Sequence, residues 1–134
     1  MSNKYLAQIN IALAKAEMDN DIMSDFVARL NEINALSDGA SGFVWRLQSE
    51  EGDSTAIRVF DNPLLLVNIS VWEDLASLKN FVYKSAHAEL IRDRDAWFKK
   101  SLTAHQALWW IEKDHIPTVE EAKEKLEQSG VFFL

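Results

Sequence analysis

The sequence predicts an α+β fold whose antiparallel sheet has a split βαβ strand order. Apolar patterns follow one another along the chain as strand, helix, strand, strand, helices and strand, which is the order of a ferredoxin-like fold. The chain has 134 residues, 48% of them apolar, so we expect residues 1–134 to form a single domain with a proper core. Residues 63–98 contain no Gly, and no Pro after Pro63. The strand that opens this run needs a second strand to which the chain can return.

The first half of the chain predicts a strand, a helix and two further strands. Strict alternation predicts a strand at residues 5–13. Asp19, Asn20 and Asp21 can cap a helix that ends near Ser37. Its apolar stripe is predicted to comprise Ile22, Phe26, Val27, Leu30 and Ile33. Residues 43–48 predict a second strand, with Phe43, Trp45 and Leu47 on one face, and residues 55–60 a short edge strand after an acidic turn at 49–54.

The second half begins with the most apolar strand, at residues 64–72. Its odd positions are all apolar, whereas its even positions become polar midway, at Asn68 and Ser70, which indicates burial on both faces. Glu73 and Asp74 favour a helix that begins there and continues to residue 83. Ser85 can cap a second helix that carries His87 on its inner face.

The chain ends with a strand, a helix and an apolar tail. Residues 104–111 predict the last main strand. Thr118 and Glu121 have the spacing of a capping box, which predicts a charged C-terminal helix ending at Gly130. We expect the apolar residues 131–134 to dock on the same chain or on a partner.

The two faces of the predicted sheet differ in polarity. We expect the face opposite the helices to be the one that includes Gln8, Asn10, Asn68 and Ser70. Such a face must be covered, and a second sheet in a homodimer is the natural cover. The sequence therefore predicts a homodimer.

Composition excludes several classes of function. There is no Cys, which rules out disulfides, thiolate metal sites and thiol nucleophiles. The net charge of −7 argues against binding to a nucleic-acid backbone. No segment approaches the roughly 20 apolar residues needed to cross a bilayer, so we expect no membrane association and a cytoplasmic protein.

Several runs of the sequence carry a resemblance to a known family. They are YLAQINIAL, GFVWRLQ, LLVNISVWEDLASLKNFVYKSAHAELIRDRDAWF, ALWWI and HIPTVEEAKEKL. In these runs the chain resembles a bacterial family of unknown function in the dimeric α+β barrel superfamily, the antibiotic biosynthesis monooxygenase-like group. The resemblance implies two protomers that pair sheet to sheet, each with a pocket between its sheet and its helices.

The same superfamily includes heme-degrading monooxygenases, which suggests positions for a site. Asn10 on the first strand is similar to an Asn of that branch, Phe81 stands where the branch has a Trp, and His87 follows as the branch's iron ligand does. Heme is therefore one cofactor that the resemblance allows. Fold membership alone does not choose among these chemistries.

Each candidate residue has a structural interpretation beside the functional one. His87 could bind heme iron, act as a general base or tie two elements together. Asn10 and Asn68 could position a substrate carbonyl or dioxygen, or could bond each other across neighbouring strands. Arg46 could bind a carboxylate or form a surface ion pair.

A pocket for a flat apolar or aromatic molecule is the remaining prediction. Its walls are predicted to be Trp45, Trp72, Phe81 and Tyr83, with Arg46 nearby. The three His do not have metal-ligand spacing. Two hypotheses follow. The first is a monooxygenase-like enzyme, either cofactor-free or heme-dependent. The second is a non-catalytic barrel that binds a ligand or stabilises a dimer.

Overall fold

The computed structural model describes residues 4–48, 64–84, 92–93, 96–98 and 106–128. Its four-stranded antiparallel sheet has the order β2-β3-β1-β4. The strands are β1 (Lys4–Leu13), β2 (Phe43–Arg46), β3 (Leu65–Trp72) and β4 (Gln106–Glu112). The helices of the described residues are α1 (Ser24–Asp38), α2 (Leu75–Lys84) and the C-terminal α3 (Val119–Gln128). This arrangement confirms the predicted α+β fold, its split βαβ order and its C-terminal helix.

Hydrophobic packing covers both sides of the sheet. On one side, strand residues such as Ile9 and Ile69 form a cluster with Ala122 and Leu126 of α3. On the other side, Leu6 and Trp72 lie against α1 and α2. We call the second side the helix-facing side, because the two crossover helices lie on it.

The prediction of which face carries the polar residues was wrong. Gln8 and Ser70 alternate in phase with Leu6 and Trp72, so they lie on the helix-facing side and not opposite the helices. The opposite face is the uniformly apolar one, and α3 covers it. Alternation separates the two faces of a strand but does not say which face a helix will cover.

The N-terminus of α1 differs from its predicted phase. Residues Asp21–Met23 form a single 3-10 turn, capped by a hydrogen bond from the Ile22 N–H to Asn20 Oδ1 at 3.0 Å. This tighter turn rotates the chain before α1 begins. Met23 is fully buried as a result, whereas Ile22 and Val27, which were expected in the stripe, are exposed.

A register shift divides β2. The irregularity lies between Phe43 and Trp45, and such a bulge reverses the alternation of side chains beyond it. Phe43 consequently packs on the helix-facing side with Trp72, while Trp45 and Leu47 join the α3 cluster. The prediction that these three share one face was wrong.

Several predicted features lie outside the described residues. They are the turn and edge strand at residues 49–60, Ser85 and His87 of the second helix, His105, the end of the C-terminal helix at Gly130, and residues 131–134. Within the described part of the chain, no helix has the length and apolar character needed to cross a membrane.

Candidate functional site

Strand pairing arranges the helix-facing side in rows of side chains. Residues paired directly across neighbouring strands point to the same side of a sheet. One row contains Trp72, Leu6 and Trp110, the next Ser70, Gln8 and Leu108, and the third Asn68, Asn10 and Gln106. Polar side chains are thus concentrated in the second and third rows, whereas the first row is apolar.

Hydrogen bonds join four of these residues into a continuous chain, which we call the polar chain: Asn68, Gln8, Ser70 and Trp72. The amide Nε2 of Gln8 donates to Asn68 Oδ1 at 2.7 Å and to Ser70 Oγ at 2.8 Å. The indole Nε1 of Trp72 donates to the same Ser70 Oγ at 2.9 Å. The chain fixes a buried amide and a buried hydroxyl on two central strands.

One end of the Gln8 amide lacks a partner among the described residues. Gln8 is only 4% exposed, and its Nε2 makes both of its hydrogen bonds. The opposite assignment of amide O and N would leave the other end unpaired instead. A buried amide normally satisfies both ends, so this group is an available hydrogen-bonding position.

Asn10 and Asn68 lie side by side on neighbouring strands, and their role in a site stays a prediction. They are direct partners in the β1–β3 register. No hydrogen bond joins their side chains, and Asn68 Oδ1 accepts one from Gln8 instead. Within the described residues the half-buried side chain of Asn10 makes no hydrogen bond, which leaves both ends of its amide available.

The aromatic residues predicted as pocket walls separate into three locations. Trp72 and Phe81 are buried together, with ring centroids 5.3 Å apart, and Phe43 lies edge-on to Trp72 at 5.4 Å. Trp45 lies on the opposite side of the sheet. Tyr83 is 67% exposed. Of the four predicted walls, Trp72 and Phe81 alone adjoin the polar chain.

A groove of about 260 Å³ lies between the end of α1 and α2. Phe81 lines it together with Leu36, Ala40, Ser41, Ser77 and Asn80. Phe81 therefore stands between this groove and Trp72 at the end of the polar chain.

Arg46 faces the helices beside the polar chain and is already paired. It is the register partner of Ser70. Its guanidinium makes a two-pronged contact with Asp38 at the end of α1, with Nε–Oδ1 2.8 Å and Nη2–Oδ2 3.2 Å. The ion-pair interpretation of Arg46 is the one that this geometry favours.

A second polar group lies on the opposite side of the sheet. Glu121 accepts hydrogen bonds from Trp109 Nε1 at 2.9 Å and contacts His115 Nε2 at 2.6 Å. Burial raises the pKa of Glu121, but the hydrogen bonds from His115 and Trp109 outweigh it, so the pKa lies below its ordinary value. The predicted capping box is only half formed. Thr118 Oγ1 accepts a hydrogen bond from the Glu121 N–H, but the Glu121 carboxylate bonds Trp109 of β4 and so holds α3 against the sheet.

The remaining chemistry depends on residues that the structure does not describe. No group of three His, Asp or Glu side chains that could hold a metal ion occurs among residues 4–48, 64–84 and 106–128. His87 lies outside the described residues, and its role stays a prediction. Gln8 and Ser70 were not predicted as site residues. Their phase with Asn10 and Asn68 was the signal that could have identified them.

Comparison with solved structures supports the fold. A Nitrosomonas europaea protein of unknown function is 12% identical, with a TM-score of 0.54 over 86% of this chain and 94% of that one. SnoaB of Streptomyces nogalater, described as a cofactor-independent oxygenase, is 15% identical, with a TM-score of 0.54 over 86% of this chain and 99% of its own. At these identities the likeness concerns the fold alone.

Sequence comparison identifies the family. No protein with a curated description matches the chain. A family model, described as a domain of unknown function (DUF3291), matches residues 5–129, nearly the whole length, which confirms the resemblance to a family of unknown function. The chain therefore belongs to the DUF3291 family.

Proposed function

We propose that the protein binds a flat apolar molecule on the helix-facing side of its sheet and oxygenates it without a bound cofactor. The observation that carries this proposal is the polar chain, in which a buried amide and a buried hydroxyl adjoin the aromatic pair Trp72 and Phe81 and one amide end has no partner among the described residues. Small-molecule sites are mostly apolar, with a few placed polar groups that orient the ligand. SnoaB, which shares the fold, is described as a cofactor-independent oxygenase.

The chain's own residues would bind and polarise the substrate. Without a cofactor, all four electrons that reduce dioxygen must come from the substrate. One oxygen atom would become a new ring carbonyl, and the other would leave as water with the phenol hydrogen and one ring hydrogen, so that a phenol and dioxygen give a quinone and water. This balance favours an electron-rich aromatic that can lose a proton. The side-chain N–H of Asn10 would donate to the oxygen atom on which negative charge develops, and such a fixed dipole stabilises that charge. In the orientation that the structure shows, Gln8 offers Oε1, which would accept a hydrogen bond from the substrate hydroxyl before its proton is lost. His87 as the proton acceptor is a hypothesis.

Oxygen uptake tests this function. Purified protein is mixed with a panel of fused-ring phenols in an oxygen electrode, and labelled dioxygen shows whether one oxygen atom enters the product. We expect Asn10→Ala to lower kcat by about 100-fold, the effect of removing one donor to a developing anion. Asn31→Ala, an exposed amide on α1, is the matched control and should leave the rate unchanged.

Two results would contradict the proposal. Uptake no faster than the uncatalysed rate with every phenol would exclude oxygenation of this class. A rate in Asn10→Ala equal to that of the control would exclude the Asn10 amide from the reaction.

A non-catalytic ligand-binding barrel is the second candidate. The members of the polar chain are joined to one another by hydrogen bonds, which is also what a purely structural network requires. Saturable binding of a phenol without oxygen uptake would favour this alternative.

The described residues of the site do not supply a ligand for heme iron. Their polar groups are amides and a hydroxyl, and the described histidine, His115, contacts Glu121 on the opposite side of the sheet. The axial role of His87 stays a prediction. A hemin titration of the wild type and His87→Ala, followed through the Soret band, tests it.

Homodimerisation is also a proposal. The apolar face opposite α1 and α2 is covered by a layer that includes α3, so a partner on this side would contact that layer rather than bare strands. A dimer mass by light scattering at micromolar concentration is the expected result, and a monomer mass would contradict it.

A further inference from the structure

Two apolar side chains on the helix-facing side of β4 are about half exposed. Leu108 is 46% exposed and Trp110 is 53% exposed. Their register partners on β1, Gln8 and Leu6, are buried. Exposed large apolar groups side by side are a usual mark of a binding surface. We call Leu108 and Trp110 the platform.

Gln8, whose amide oxygen accepts no hydrogen bond within the described residues, is a strand neighbour of this platform. Gln8 and Leu108 are direct partners in the β1–β4 register, which places their Cα atoms about 5 Å apart. In the orientation that the structure shows, Nε2 is engaged and Oε1 of Gln8 accepts no hydrogen bond within the described residues. The residue that carries this buried acceptor therefore lies one strand spacing from Leu108.

We propose that the platform binds the face of a neutral fused-ring phenol whose hydroxyl donates a hydrogen bond to Oε1 of Gln8. Two side chains on one face of a strand stand about 7 Å apart, which is comparable to the length of two fused aromatic rings. Indole offers a large rigid surface for stacking. Asn10, in the next row, can donate to the same oxygen.

The negative net charge of the chain favours a neutral ligand over an anionic one. The chain carries a net charge of −7, which repels carboxylated aromatics. Arg46, the cation described beside the polar chain, is already engaged by Asp38. Trp110 and Leu108 thus become the residues that determine substrate specificity, and this inference rests on the site of the proposed function.

Equilibrium dialysis with two probes tests the inference. The probes are 1-naphthol and naphthalene, which share the ring system and differ in the hydroxyl. The wild type should bind 1-naphthol about tenfold more tightly than naphthalene, since one hydrogen bond to a buried group is worth roughly that factor. Trp110→Ala should weaken both ligands by about tenfold or more. Gln8→Leu should abolish the difference between them.

A matched control separates the platform from general loss of apolar surface. Ile116 is 57% exposed and lies in the connection from β4 to α3, so Ile116→Ala should leave both affinities unchanged. Leu108→Ser is a second platform variant for the case in which Trp110→Ala fails to fold. Binding of 1-naphthol to the folded platform variants with wild-type affinity would overturn the inference.

The oxygen-uptake assay distinguishes this failure from failure of the proposed function. If Trp110→Ala and Leu108→Ser both keep the oxygen uptake and the 1-naphthol affinity of the wild type, the inference about the platform is refuted, and the proposed oxygenation is not. The predicted binding pattern without oxygen uptake would support the platform and refute the proposed oxygenation.

Discussion

Gly42 sets the position of α2 against the sheet, and its replacement by Ala should be strongly destabilising. Gly42 has φ +81°, and a Cβ added there would lie 2.1 Å from Ser77 Oγ and 2.4 Å from Ser77 Cβ. The left-handed backbone costs an Ala about 1–2 kcal/mol, and relieving such overpacking about 1–3 kcal/mol more. We therefore expect Gly42→Ala to lower the free energy of unfolding by about 2–5 kcal/mol.

A double-mutant cycle separates the two causes. Ser77→Gly removes both clashing atoms and should cost about 1 kcal/mol by itself, the usual cost of Gly within a helix. In the double mutant with Gly42→Ala, the clash is absent, so the free energy of unfolding that it costs should be regained. The coupling energy should therefore be about 1–3 kcal/mol, whereas the cost of the left-handed backbone at position 42 remains. Urea unfolding followed by tryptophan fluorescence measures all four proteins. A loss below about 0.5 kcal/mol in Gly42→Ala, the range of a neutral surface change, would refute the reasoning.

Three further predictions concern other parts of the core. Leu126 of α3 is fully buried, so Leu126→Ala should cost about 2–5 kcal/mol in urea unfolding; a loss under 1 kcal/mol would mean that α3 is not docked as described. Trp72→Phe removes the indole N–H that reaches Ser70 and should cost about 1–3 kcal/mol in the same assay, whereas wild-type stability would show that this bond contributes nothing. The pKa of Glu121 is lowered in the folded protein, so its contribution is fully present above the ordinary pKa and is lost as the pH falls through the lowered one. The difference in Tm between the wild type and Glu121→Gln should therefore shrink in thermal scans from about pH 6 to about pH 3, and a constant difference would contradict the ionised contact.

Much of the fold could be predicted because it depends on local patterns. Alternation between neighbouring residues predicted the strands β1, β3 and β4, and the structure confirms them. Local sequence also predicted the capping residues Asn20 and Thr118, which the structure confirms. The 3-10 turn at Asp21–Met23 and the bulge before Trp45 were missed. Each is a local backbone irregularity that changes the side toward which the following side chains point. A method that assumes a regular helix or strand period cannot detect such an irregularity.

The site was less predictable because its contacts are distant in sequence. Gln8 bonds Asn68 and Ser70, about sixty positions further along the chain. Asn10 and Asn68 could be placed as neighbours, but the hydrogen bond that Asn68 accepts from Gln8, and not from Asn10, depends on the exact register. The prediction placed the polar face on the wrong side of the sheet, because the sequence does not show against which face α3 packs. In the structure α3 covers the apolar face.

The most direct test of the site is a side-chain amide NMR titration with 1-naphthol. The wild-type cross-peaks of the Gln8, Asn10 and Asn68 side-chain amides should shift saturably, with one common affinity. Those of Asn20, which caps the turn before α1, and of exposed Asn31 should stay in place. Unmoved Gln8 and Asn10 signals at saturating ligand, or equal shifts at all five amides, would contradict a binding site on the helix-facing side of the sheet.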